Sequence, residues 1–127
     1  MKKLLTLVLA LTCVCGCSQT QSPTDESKTA LVPMVMVDGE LYMDTGYDST
    51  IDARCGVMDG EITSTVDGTE RPTEDNQSNF GKDIGYQYGT TVGTIEIYQN
   101  EKWRIFATEE VREQIQSEHK NDTTQTN

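Results

Sequence analysis

Cysteine, carboxylate and tyrosine are the side chains with which this chain could do chemistry. Cys55 lies in the run Ala53-Arg54-Cys55-Gly56-Val57-Met58-Asp59-Gly60-Glu61, away from the other three cysteines at positions 13, 15 and 17. A cysteine nucleophile needs a nearby base to form thiolate, and the single histidine, His119, falls in the C-terminal tail. Ser49, Ser64 and Ser78 equally lack a histidine partner, and one cysteine cannot build a structural zinc site. An unpaired thiol in an exported chain is buried, bridged to another chain or reactive. Free cysteines favour burial, so Cys55-Gly56 reads as a packed entry to a strand over residues 61–66.

The carboxylates suggest two chemistries. Asp44, Asp48 and Asp52 recur every four residues, and Asp67, Glu70, Glu74 and Asp75 follow in a polar stretch. Neither set matches the spacing of an EF-hand loop, so calcium would need scattered oxygens, and solvated turns are the simpler reading. A carboxylate pair among Asp59, Glu61, Asp67 and Glu70 could serve a small cell-wall hydrolase. A domain of about eighty residues rarely encloses the deep cleft that glycoside chemistry needs. The chain therefore reads as non-enzymatic, with no cofactor and no metal ligand assigned.

Tyrosines point to binding. Tyr42, Tyr47, Tyr86, Tyr88 and Tyr98 are many for so small a domain, and tyrosine offers rigid contact area with a polar end. Together with the polar stretch from residue 67 to 82, they nominate Tyr42, Asp67, Asn76, Asn79, Tyr86 and Tyr88 as ligand-binding candidates. The competing reading is that the phenols wall a β-core whose apolar supply is thin.

The N-terminus speaks to location. Met1-Lys2-Lys3 precedes a largely apolar run from Leu4 to Leu11, the layout of a secretory signal peptide, and too short to span a bilayer. Val14-Cys15-Gly16-Cys17 resembles a bacterial lipobox, with Cys17 as the lipidated residue. Acyl chains such as palmitate would then hold the chain on the extracytoplasmic face of the cell membrane. Cleavage before Cys17 removes two lysines, leaving eight basic residues against twenty-one acidic ones and moving the formal charge from −11 to −13. Such a body is repelled by phosphate backbones, which argues against nucleic acid.

The elements that position these groups follow from turn chemistry and alternation. Asp38-Gly39 between Val35-Met36-Val37 and Glu40-Leu41-Tyr42 predicts a two-residue type I′ hairpin pairing Met36 with Leu41 and Met34 with Met43. Those four would form a methionine-rich core face. A second hairpin joins Thr94-Ile95-Glu96-Ile97-Tyr98 to Trp103-Arg104-Ile105-Phe106. Apolar matching favours an odd loop that sets Ile97 opposite Ile105. Ile62, Ser64 and Val66 alternate with Glu61, Thr63 and Thr65 in a half-exposed strand, and Tyr86-Gln87-Tyr88 forms a short strand between glycines. Residues 69–82 read as a long functional or mobile loop. Thr108 would cap a short helix with Val111 and Ile115 on one face, and residues 120–127 read as disordered. The predicted layout is signal peptide 1–16, lipidated cysteine and flexible tether 17–30, β-domain 31–107, then short helix and tail 108–127. The fold class is all-β: a small antiparallel sheet, curled or barrel-like.

With Val37-Asp38-Gly39-Glu40-Leu41-Tyr42, Arg54-Cys55-Gly56-Val57-Met58-Asp59-Gly60-Glu61-Ile62-Thr63-Ser64 and Asn76-Gln77-Ser78-Asn79-Phe80-Gly81 in view, the chain resembles a group of small uncharacterised lipoproteins of Gram-positive anaerobes. It is similar to extracytoplasmic segments of antibiotic-sensing membrane metallopeptidase receptors. The resemblance runs from about Met34 to Phe106 and implies a cell-surface sensing or binding module with a protein or cell-envelope partner. It implies no peptidase activity, because this chain has no metallopeptidase motif.

Overall fold

A computed structural model describes residues 28–124 of the chain. The expected signal peptide, Cys17 and most of the tether lie outside the described residues. Eight strands form one sheet: β1 (Met34–Val37), β2 (Glu40–Asp48), β3 (Gly60–Ile62), β4 (Ser64–Thr65), β5 (Gln77–Ser78), β6 (Ile84–Tyr88), β7 (Thr94–Gln99) and β8 (Lys102–Ala107). A helix, α1 (Glu109–Thr124), follows. The strand order is β3-β6-β7-β8-β2-β1-β5-β4. The two ends of that order are consecutive in the chain, broken only at Thr63. β3 pairs β6, and β4 pairs β5 in parallel. The segment from Gly60 to Thr65 is thus the seam of a nearly closed barrel, and Thr63 and Ser64 both donate their N–H to Asn76 O across it. Its expected alternation holds: Ile62 is fully buried, Ser64 and Val66 are half-buried, and Glu61, Thr63 and Thr65 are exposed.

The first hairpin forms in the expected register, Met36 opposite Leu41 and Met34 opposite Met43. Asp38 and Gly39 both take positive φ, 51° and 77°, as a type I′ turn requires. The core, however, is built on the opposite face. Val35, Val37 and Tyr42 join Ile62, Tyr86, Ile95, Ile97 and Phe106 inside the barrel, with Phe80 and Ile84 against them. β-Branched and aromatic side chains fill the narrow interior, while the methionine face lies outside it, Met34 and Met43 buried and Met36 and Leu41 half-buried.

The second hairpin departs from expectation. Ile97 faces Arg104, Glu96 faces Ile105 and Tyr98 faces Trp103, around a two-residue turn at Asn100-Glu101 with φ of 51° and 64°. Apolar matching favours the odd loop because an even one places charges among apolar groups. Here those charges are neutralised: Arg104 bonds Asp44 and Asp48, and Glu96 pairs with Arg54. Register followed ion pairing as well as apolar matching.

Two further corrections concern polar segments. Residues 69–82 are not a free loop, because Gln77, Ser78 and Asn79 are buried and supply β5 between β1 and β4. Asn79 Oδ1 accepts from Met34 N at 2.8 Å and its Nδ2 donates to Val32 O at 3.2 Å, so the side chain acts as an extra rung of sheet. The helix is sixteen residues long rather than short, running past Lys120 to Thr124. It lies along β2: Arg112 Nε donates to Asp44 O at 2.7 Å, Gln116 Nε2 to Thr45 O at 3.4 Å, and the His119 ring stacks on Tyr47 at 3.9 Å. Val111 and Ile115 are half-buried, as the helical spacing implied. No described helix is long and apolar enough to cross a membrane.

Candidate functional site

Residues 28–33 lead into β1 at one end of the barrel, where Leu31 N donates to Gly68 O. The β1–β2 turn at Asp38-Gly39 therefore lies at the opposite end, and that end collects four of the six candidates. Tyr88, at the close of β6, is half exposed and its phenol donates to Asp38 Oδ2 at 2.5 Å. Its backbone N–H donates to Asp59 Oδ2 at 2.8 Å. Tyr86, two residues earlier, meets Tyr88 edge-on at 6.0 Å and donates its hydroxyl to Asn76 Oδ1 at 3.3 Å. Asp75 accepts from Gly39 N at 2.7 Å and so ties the β5 approach to the first turn. The Tyr86 ring lies against Gly60, where any Cβ would collide with the phenol.

Electrostatics bind this rim together. The hydrogen bond to Asp38 holds the Tyr88 phenol well above its ordinary range, with burial and the Asp38 charge adding to it. Burial raises Tyr86, and Asp38 adds to it; burial likewise raises Tyr42, with Glu40 and Asp38 adding to it. Tyr42 and Tyr86 are core residues, 8% and 5% exposed, so a ligand would not reach them without displacement. Of the three rim phenols, Tyr88 is the one that solvent meets. Around it, Asp38, Asp59 and Asp75 each accept one bond from the protein and keep lone pairs for ammonium or hydroxyl donors.

The other two candidates lie elsewhere. Asn79 is buried in the sheet-like clamp on β1. Asp67, near the entry end, closes its own turn by accepting from Thr69 N at 2.9 Å and Thr69 Oγ1 at 2.7 Å. The Thr69 hydroxyl bond lowers its carboxyl pKa first, and the backbone bond adds to it. The carboxylates of the hydrolase reading are similarly dispersed. Asp59 serves the Tyr88 backbone, Glu61 is exposed on β3, and Asp67 and Glu70 belong to the turn near Lys28. Of the calcium series, Asp44 and Asp48 are held by Arg104 at 2.9 and 3.0 Å, and Lys102 reaches Asp48 at 3.1 Å. Among the described residues no group of three or more histidine, cysteine or carboxylate side chains gathers to hold a metal.

Cys55 overturns its packing expectation: the thiol is free and exposed. What packs is its neighbour. Arg54 folds back onto the outer face of β6–β8, forms an ion pair with the buried Glu96, and donates to Ser49 Oγ at 2.7 Å and Gln87 Oε1 at 3.3 Å. Its guanidinium lies 4.1 Å from the Trp103 ring centre. Gln87 Nε2 in turn donates to Cys55 O at 2.8 Å and Val57 O at 2.7 Å, so the backbone beside the cysteine is tied down while the thiol points free. Neither Arg54 nor Glu96 was singled out by residue type. One signal was available: Glu96 is a charge inside an apolar strand, in a chain with few cations to meet it.

No protein-family model, curated protein or solved structure matches the chain.

Proposed function

We propose that this chain is a lipoprotein held at the extracytoplasmic face of the cell membrane through Cys17, and that its β-domain binds a protein or cell-envelope ligand without catalysing a reaction. The observation that carries the reading is the placement of the rim. Tyr88, Asp38, Asp59 and Asp75 lie at the end of the barrel opposite the point where the N-terminal segment enters. An anchor on that segment would join the barrel at the end far from the rim. A half-exposed phenol ringed by carboxylates suits a donor-rich ligand, an ammonium or a polyhydroxylated chain.

Anchoring and binding are tested separately. Cys17→Ser should move the protein from the membrane fraction to the soluble one and abolish acyl labelling; unchanged fractionation would sink the anchoring half. A photo-crosslinking residue at position 88 should capture a partner in cells that the same residue at position 70, beside the chain entry, does not. Equal capture at both positions, or none at 88, removes the rim as the binding surface.

A further inference from the structure

The inner face of the barrel changes character along its axis. Ile95 and Ile97 of β7 point into the core, and the same alternation turns Gln99 inward at the end of the strand. Partners across an antiparallel pair share a face, so Arg104 opposite Ile97 and Lys102 opposite Gln99 belong to the same wall. Asp44 joins them opposite Phe106, and Asp48 opposite Arg104. Toward the end where the chain enters, the apolar core thus gives way to a polar mouth. A concavity of about 340 Å³ lies there, with Pro33 and Asn100 completing its lining. We infer that this mouth binds a neutral sugar unit, received by the Gln99 side-chain amide. The inference stands apart from the tyrosine rim at the other end of the barrel and does not depend on lipidation.

Gln99 carries the argument. Its amide nitrogen is closed off from solvent and has no hydrogen-bond partner, the single buried side-chain nitrogen or oxygen in that state among the described residues. Buried polar groups are nearly always paired, so an orphan amide in an otherwise satisfied structure marks a place for an acceptor oxygen from outside the fold. Gln99 also lines the concavity. The terminal torsion of a glutamine is soft, and a small turn of the amide brings an N–H to face that space.

Charge and lining narrow the occupant. Arg104 bonds Asp44 at 2.9 Å and Asp48 at 3.0 Å, and Lys102 bonds Asp48 at 3.1 Å. Two carboxylates meet two cations, so the mouth holds no net charge to draw an ion. Among the lining residues only Pro33 is apolar, and an aliphatic or aromatic group gains little there. A ring that carries hydroxyls on every edge fits. Each hydroxyl accepts from the Gln99 or Asn100 amide and donates to the carboxylate lone pairs that the cations leave open. The volume lies near the lower bound of ligand cavities, about 300 Å³, which suits one ring.

The test follows the Gln99 amide itself. The full nitrogen-15-labelled chain, in a sugar-free detergent, is titrated with the methyl glycosides of glucose, galactose and N-acetylglucosamine. The expected result is a saturable shift of the Gln99 side-chain N–H signals with at least one of them, accompanied by Asn100. Gln99→Leu keeps the side chain's size and removes the orphan donor. It should weaken binding about tenfold, read at Asn100, yet unfold at the parent's temperature or higher. Gln114→Leu, exposed on α1, should leave binding unchanged. No saturable shift with any glycoside means that water alone meets the amide, and overturns the inference. Full affinity in Gln99→Leu, or an equal loss in Gln114→Leu, does the same. So does a lower unfolding temperature in Gln99→Leu, which would make the amide a structural bond. Equal affinity for acetyl-glycyl-glycine amide also overturns it, because the ligand would then be a peptide.

Discussion

Arg54 is the side chain on which most of the outer face depends. Its guanidinium, 11% exposed, meets Glu96, 5% exposed, and is shared by Ser49 and Gln87. Removing one partner of a buried pair leaves an uncompensated charge, a cost of about 3–5 kcal/mol. Arg54→Ala should lower urea stability by that order, and Arg54→Lys should recover little, because an ammonium cannot serve Glu96, Gln87 and Ser49 in one plane. Arg54→Met combined with Glu96→Leu should recover more than either single change; a double variant no better than Arg54→Ala would show that the pair is not the cause. The phenols give a second residue-scale test. Tyr42, Tyr86 and Tyr88 all ionise above the ordinary value, Tyr42 and Tyr86 chiefly through burial and Tyr88 through Asp38. A phenol whose folded pKa is raised supports the fold below about pH 10 and loses that support as pH climbs through the raised value. Alkaline titration by phenolate absorbance should show late-ionising tyrosines, and Tyr88→Phe should remove one of them.

Among the elements, the second hairpin shows where sequence logic stopped. Matching of apolar residues assumes that a face is either dry or wet. Glu96 and Arg104 break the assumption because each brings its counter-ion from a distant segment, Arg54 from the 49–59 loop and Asp44 and Asp48 from β2. Contacts of that range leave no local trace. The same holds for α1, whose second half is poor in strong helix formers yet continues because Gln116 and His119 reach β2. Tyr47→Ala should therefore shift the His119 ring resonances and speed amide exchange at the C-terminal end of α1, while the first turn stays protected. Uniform exchange along the helix would contradict this.

Over the whole molecule, closure of the barrel decides what is reachable. Residues 69–82 looked like a free polar loop, but the gap between β1 and β4 draws Gln77 and Ser78 into the sheet. The opposite happens to the 49–59 loop, which is laid on the finished barrel from outside. Its thiol therefore stays accessible, and maleimide should label Cys55 in the native protein, with peptide mapping assigning the site. Labelling that waits for denaturant would contradict the exposed position. Acid should act through the entry end. Hydrogen bonds from Lys102 and then Arg104 hold the Asp48 carboxyl below its ordinary value of 3.8. A lowered carboxylate contributes stability above its unfolded pKa and loses it as pH falls through the folded one. The parent should thus lose stability below about pH 4, and Asp48→Asn should flatten part of that fall in acid denaturation curves.

The sequence by itself determined the β-class, the first hairpin and its register, the alternation of the Gly60–Thr65 segment, the strand around Tyr86 and the start of a helix. Each rests on neighbours within a few residues: a turn that needs positive φ, a period of two, a capping position. Only the tertiary structure decided which face of the first hairpin is core, that the seam strand closes the barrel, that Asn76 and Asn79 are structural, and that Cys55 is exposed. It also divided the candidates, bringing Tyr42, Asn76, Tyr86 and Tyr88 to one end and leaving Asp67 and Asn79 elsewhere. Those outcomes depend on which distant segments meet. A polar side chain in a small barrel is buried or exposed according to whether another segment supplies its hydrogen-bond partner.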